Sequence, residues 1–177
     1  MSRKVATFVG LVAITLTLAI VFWIVNITIA PHIFFFFWRN HQPHEASPLV
    51  LAGLAAIAPL IVAIPFGFAF GLLFSRGAMV AALLVAVVAA GLNLATSVWA
   101  SAVAGRAFFN SRTWVDLLDL TFFVILFVAA AALATRAASQ WRERLLVGGI
   151  VWVSLTATTL VGAYLWYQSI LESARAA

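Results

Sequence analysis

Residues 5–30 read VATFVGLVAITLTLAIVFWIVNITIA, and the stretch contains no charged side chain. An α-helix needs about 20 apolar residues to cross the hydrocarbon core of a bilayer, so this stretch is long enough to span one. Arg3 and Lys4 precede it, as basic residues precede the apolar core of a secretory signal peptide. That core, however, has only about 7–15 residues. We therefore interpret residues 5–30 as a first transmembrane helix that is not cleaved.

Four further apolar stretches follow, each long enough to cross a bilayer. They comprise residues 49–74, 78–104, 114–135 and 145–168. The connectors between these stretches are too short to hold a soluble domain. The sequence thus predicts an all-α integral membrane protein in which residues 1–177 form a single bundle of five transmembrane helices.

The amino-acid composition excludes the soluble and disordered classes. Hydrophobic residues make up 66% of the chain and charged residues 8%, whereas a soluble domain carries about 25% charged residues. The net charge of +5 comes from Lys and Arg scattered between apolar runs, without the basic stripe that nucleic-acid binding needs. We therefore expect the lipid bilayer and other membrane subunits as partners, and no nucleic acid. The absence of cysteine excludes disulfides and thiolate metal sites.

The distribution of basic residues predicts the orientation, because cytoplasmic connectors carry an excess of Lys and Arg. An inside N-terminus places six basic residues on the cytoplasmic side and four on the other side. The six are Arg3, Lys4, Arg76, Arg136, Arg142 and Arg144; the four are Arg39, Arg106, Arg112 and Arg175. This favours an N-in/C-out topology. From the short N-terminal anchor without a processing signal we expect the inner (plasma) membrane of a bacterium.

All three histidines of the chain fall in the connector formed by residues 31–48. They are His32, His41 and His44, and Glu45 follows the last of them. Histidine and carboxylate are ligand types for metals, so a metal or haem site is one interpretation. The proline between His41 and His44 argues against helical spacing, and the phenylalanines of this stretch suit the headgroup region. We interpret the connector as an interfacial loop and keep the metal site as the alternative.

The fourth stretch contains the only acidic residues within any predicted span. Asp116 suits a capping role near the positive end of the helix dipole. Asp119 lies one turn deeper, where an ionisable group is costly and is by default a functional candidate. We expect it to pair with Arg112 or Arg106 of the preceding connector, or with a cation of a partner subunit. The alternative is a hydrated carboxylate at headgroup depth.

Neutral polar residues mark one face of the third stretch, because Asn93, Ser97 and Ser101 follow each other at four-residue spacing. Asn93 and Ser97 either line a polar cavity or hydrogen-bond across helices, which is the commoner use of such residues. No acidic, basic or histidine side chain lies deep in any predicted span. Proton relays, retinal proteins and transmembrane haem proteins need such groups, so we expect no cofactor.

The second stretch contains two packing signals. Gly67 and Gly71 form a GxxxG motif, which permits close approach of two helices within this chain or between chains. Pro59 and Pro65 each remove a backbone donor and favour a bend. Two half-helices in place of one span are the alternative for this stretch.

Few acids and histidines are available to converge on a catalytic site, so we do not expect an enzyme. The leading hypothesis is a non-catalytic subunit, scaffold or assembly factor of a membrane complex. A small transporter or binding protein for an apolar or lipid-like substrate is the first alternative, and it would use the Asn93 and Ser97 face. A membrane-resident immunity or inhibitory protein is the second alternative.

Overall fold

The computed structural model of this chain describes residues 3–40, 48–74, 78–105, 113–137 and 141–176. These residues form five α-helices and no strand, and each helix contains a segment long and apolar enough to cross a membrane. The helices are α1 (Arg3–Asn40), α2 (Pro48–Leu73), α3 (Ala78–Val103), α4 (Thr113–Ala137) and α5 (Trp141–Ala176). The predicted all-α class with five candidate spans is confirmed, whereas the N-in/C-out orientation stays a prediction.

Two helices are longer than the predicted spans. α1 continues through Pro31 to Asn40, so the prediction of a loop was wrong for residues 31–40. A single proline removes only one backbone donor, and no glycine follows it to end the helix. α5 begins before residue 145 and continues past residue 168 to Ala176. At 1.5 Å per residue both helices exceed the roughly 30 Å of a hydrocarbon core, so they must tilt or extend beyond it.

α2 lies at the centre of the structure, and it packs against each of the other four helices. In its candidate span 56% of the residues are buried, against 11% in that of α5. The contacts arrange α1, α2, α4 and α3 in that cyclic order around a four-helix core. α5 lies outside this core, against α1 and α2.

The GxxxG motif of α2 contacts α4 of the same chain. A Cβ atom added at Gly71 would lie 2.8 Å from the Cβ of Ala134 and would collide with the carbonyl oxygen of Ala131. A Cβ added at Gly67 would collide with the carbonyl oxygen of Phe127. The two glycines therefore permit a backbone approach that no other residue would allow.

α2 is one continuous α-helix through both of its internal prolines. Pro59 is fully buried and Pro65 is half-buried. The alternative of two half-helices is therefore wrong.

α5 docks on α2 through its first half. A Cβ added at Gly148 would lie 3.0 Å from the carbonyl oxygen of Ala69, and the ring of Trp152 meets that of Phe66 edge-on at 4.8 Å. Because Gly148 faces Ala69 and Trp152 faces Phe66, α5 runs antiparallel to α2. The second half of α5 has no buried residue among those whose side chains are described.

The helix directions bring one set of helix ends together. Phe22 stacks on Phe123 with ring centroids 4.1 Å apart, and Asn26 meets Asp119 one turn further, so α1 and α4 are antiparallel. Only residues 74–77 separate α2 from α3, which makes these two helices antiparallel as well. The C-terminal ends of α1, α3 and α5 therefore lie together with the N-terminal ends of α2 and α4. We call this side of the bundle the Asp119 end.

Candidate functional site

Asp119 is joined to α1 by a hydrogen bond. The Nδ2 atom of Asn26 donates to its Oδ2 atom at 3.2 Å, and both side chains are half-buried. The backbones of α1 and α4 approach each other far less closely than those of α2 and α4. α1 and α4 are therefore connected through their side chains: Asn26 bonds to Asp119, and Phe22 stacks on Phe123 one helical turn deeper in the bundle. Asn26 is not the only group that Asp119 contacts.

The predicted arginine partners of Asp119 lie outside the described residues, so the pairing with Arg106 or Arg112 stays a prediction. Asn26 was missing from the predicted site. A signal for it exists in the sequence, since Asn26 lies near the C-terminal end of its span and Asp119 near the N-terminal end of another. In antiparallel spans these two positions fall at the same depth.

Asn93 is the buried polar residue of the described core. Its Nδ2 atom donates to the carbonyl oxygen of Ala19 at 3.2 Å and to that of Ala89 at 3.0 Å, so the side chain ties α3 to α1. Its Oδ1 atom accepts no hydrogen bond from the part of the chain that the structure describes. Ser97 lies one turn further along α3 and is exposed. The two residues thus do not line a closed cavity together.

Replacing Asn93 with leucine is expected to lower the free energy of unfolding by about 0.6–1.7 kcal/mol, the range for a hydrogen bond between membrane helices. The measurement is equilibrium unfolding in mixed micelles of mild and denaturing detergent. Ser97→Ala is the control, since it removes a hydroxyl from the same helix face without removing a bond between helices. Equal stability of both variants would show that the bond to Ala19 contributes nothing.

Most other hydroxyl groups of the described spans bond to their own helix. These threonines donate to a carbonyl oxygen three or four residues earlier in the chain; they are Thr15, Thr17, Thr28, Thr96, Thr121, Thr135, Thr156 and Thr159. Such bonds satisfy the hydroxyl within the helix and leave no converging set of reactive groups.

No three histidine or acidic side chains come together as a metal site within the described ranges. His41, His44 and Glu45 lie outside these ranges, so the metal interpretation of that connector is neither confirmed nor contradicted.

No family model matches this sequence, and no significant match was found among curated proteins or solved structures.

Proposed function

We propose that this multi-pass membrane protein is a non-catalytic subunit or scaffold of a larger complex in the inner (plasma) membrane, and that α5 binds its partners. The observation that carries the proposal is the low burial of α5. Only 11% of its candidate span is buried, less than in any other candidate span. A helix held on one side by α2 and α1 leaves its other side available to another transmembrane helix.

The residues on the side of α5 that does not contact α1 or α2 support a transmembrane helix as its partner. Ser154, Ala157 and Thr158 are exposed and lie on the side of α5 that faces away from Gly148 and Trp152. Small and hydroxyl-bearing residues are typical of the faces on which transmembrane helices pack, because they allow close approach and hydrogen bonding. Lipid contact alone requires no such residues.

The use of the polar side chains supports a non-catalytic role. Asn26 and Asp119 bond to each other, and Asn93 bonds to the backbone of α1. These groups connect helices and do not converge with a nucleophile or a base in the described part of the chain. An immunity or inhibitory protein would also act through a partner, so the experiment below detects that alternative too.

A transporter for an apolar or lipid-like substrate is the second candidate. One observation favours it: Ser97, on the same face of α3 as the buried Asn93, is exposed. A purified protein that holds lipid and no partner chain would support this candidate over the first.

A double variant with leucine at positions 154 and 158 is expected to lose the complex while the bundle stays folded, because bulky side chains block close helix approach on the face opposite α2. The measurement is the mass of the assembly on native electrophoresis after extraction in mild detergent. A control with Ile150→Leu and Val161→Leu changes the same face while adding only one methylene group, and it should keep the assembly. An assembly of wild-type mass in the Ser154→Leu/Thr158→Leu variant would overturn the role of α5.

A further inference from the structure

α2 presents one exposed strip on its side between α4 and α5. Gly67 packs against α4, and Ala69 packs against α5. Successive residues of an α-helix are turned by about 100°, so Phe68 faces the side of α2 that lies between these two contacts. Ile64 and Ile61, four and seven residues before Phe68, lie on the same side of the helix, and all three side chains are exposed. We call these three residues the α2 strip.

The two helices that border the α2 strip stay apart from each other. α4 and α5 barely contact each other, although only residues 138–140 separate them in the sequence. Each of them packs on a different side of α2 instead. The strip is apolar and belongs to the candidate span of α2, so in a bilayer it is in contact with lipid acyl chains.

Three arginines lie at one end of the strip. Arg136 is in the last turn of α4, and Arg142 and Arg144 are in the first turn of α5. Four residue steps lead from Ala137 to Trp141, which keeps these two helix ends within about 14 Å of each other. Arg136 is exposed and forms no ion pair with the described part of the chain. We call the three arginines the arginine cluster.

The arginine cluster lies at the depth where α2 leaves the membrane. Ala134 of α4 and Gly148 of α5 both contact the last turns of α2, whose candidate span ends at Leu73. Arg136 is two residues beyond Ala134, and Arg144 is four residues beyond Gly148. At 1.5 Å per residue their backbones are about 3–6 Å past these contacts. The positive charges therefore begin where the apolar strip ends.

The two ends of the bundle differ in charge. Counted along the sequence, the end with the arginine cluster has six basic residues and one acidic residue, Glu143, whereas the Asp119 end has four of each. A positive excess thus remains only at the end with the cluster. Basic residues next to transmembrane helices attract anionic lipid headgroups, and basic pockets between such helices bind them.

We propose that the arginine cluster and the α2 strip together bind an anionic phospholipid, with its phosphate against the cluster and an acyl chain along the strip. Arginine is well matched to phosphate, because its planar guanidinium group donates two parallel hydrogen bonds to the phosphate oxygens. A soluble phosphate compound would use the cluster alone, whereas the neighbouring strip favours a lipid. This binding goes beyond the proposed scaffold role and requires no partner chain.

The headgroup contact is tested by native mass spectrometry of the intact chain in mild detergent, with dioleoyl phosphatidylglycerol and dioleoyl phosphatidylcholine as probes. Arg136→Gln/Arg144→Gln is expected to weaken binding of the anionic lipid about 25-fold, or about fivefold for each arginine, and to leave binding of the choline lipid unchanged. The matched control, Arg39→Gln/Arg175→Gln, removes the same charge from the Asp119 end and should retain wild-type affinity. Lysine at 136 and 144 should restore most of the binding, and thermal unfolding without lipid checks the fold. Equal losses in the two glutamine variants would overturn the site.

The acyl-chain contact is tested with a phosphatidylglycerol that carries a diazirine in one acyl chain. After irradiation, this lipid is expected to label the α2 strip at least about fivefold more than Leu83 and Leu84, which are exposed near the start of α3. The choline counterpart should label both helices alike. Glycerol phosphate in large excess should not displace the anionic lipid. Equal labelling of both helices by the anionic lipid would overturn its place on the strip, and displacement by glycerol phosphate would assign the cluster to a soluble phosphate compound.

Discussion

Gly71→Ala is expected to lower the free energy of unfolding by about 1–3 kcal/mol, the usual cost of inserting a group into a packed interface. The added Cβ would lie 2.8 Å from the Cβ of Ala134 and would collide with the carbonyl oxygen of Ala131. A backbone carbonyl cannot rotate away as a flexible side chain can, so α2 and α4 must separate. In Gly67→Ala the added Cβ would collide with the carbonyl oxygen of Phe127, so a similar loss of stability is expected.

The double variant with alanine at 67 and 71 should show the largest loss of any variant considered for this protein. Thermal unfolding in mild detergent and the yield of monodisperse protein measure it. Gly91→Ala is the matched control, because a Cβ at that position has no neighbour within 4 Å and helix propensity favours alanine. If the double variant melted within a degree or two of the control, the close approach of α2 and α4 would be wrong.

The GxxxG spacing identified which residues of α2 pack closely, but it did not identify the helix against which they pack. The partner surface on α4 consists of alanines, including Ala131 and Ala134, and alanine occurs in every span of this chain. The sequence also could not show which glycine of α5 packs against another helix. Gly148 and Gly149 are adjacent, and only the structure shows that Gly148 contacts α2 whereas Gly149 has open space beside it.

Hydropathy located the middle of each helix better than its ends. α2 and α3 end within about a residue of the predicted limits. α3 ends at Val103, and Gly105, two residues later, turns the chain out of the helix with a positive φ of 64°. α1 extends past its span as a segment rich in phenylalanine, and α5 extends past its span as a more polar segment. Hydropathy reports where a helix leaves hydrocarbon, and a helix continues until a capping residue or a breaker ends it.

The sequence singled out Asp119 because a carboxylate within a transmembrane span is unusual. Its partner Asn26 was overlooked because a neutral amide within a span is common. To predict the pair, one must know both the depth of each residue in the membrane and the direction in which each faces. The antiparallel order of the helices gives the depth, but it does not give the rotation of each helix about its axis. Asn26 faces α4 because its neighbour one turn earlier, Phe22, is fully buried against Phe123.

A double-mutant cycle on Asn26 and Asp119 is expected to give a coupling free energy of about 1–2 kcal/mol. Bonds to a charged group contribute about 1.5–3 kcal/mol, and bonds between membrane helices average about 0.6 kcal/mol. The bond between Asn26 and Asp119 is 3.2 Å long and both side chains are half-buried, so we expect its contribution to lie between those two values. The cycle uses Asn26→Leu, Asp119→Leu and both together, with unfolding in mixed micelles as the measurement.

The two single variants also separate the observed bond from the predicted arginine pairing of Asp119. If Asn26 is the main partner, both single variants lose similar stability, and the second change costs little once the first has been made. If a desolvated pair with Arg112 or Arg106 dominates, breaking it costs about 3–5 kcal/mol, so Asp119→Leu is far more damaging than Asn26→Leu. Asp119→Asn then distinguishes charge from hydrogen bonding, because the amide still accepts a bond from Asn26 but attracts no arginine. A coupling near zero together with a harmless Asp119→Asn would leave Asp119 as a hydrated residue at headgroup depth, with no part in holding α1 to α4.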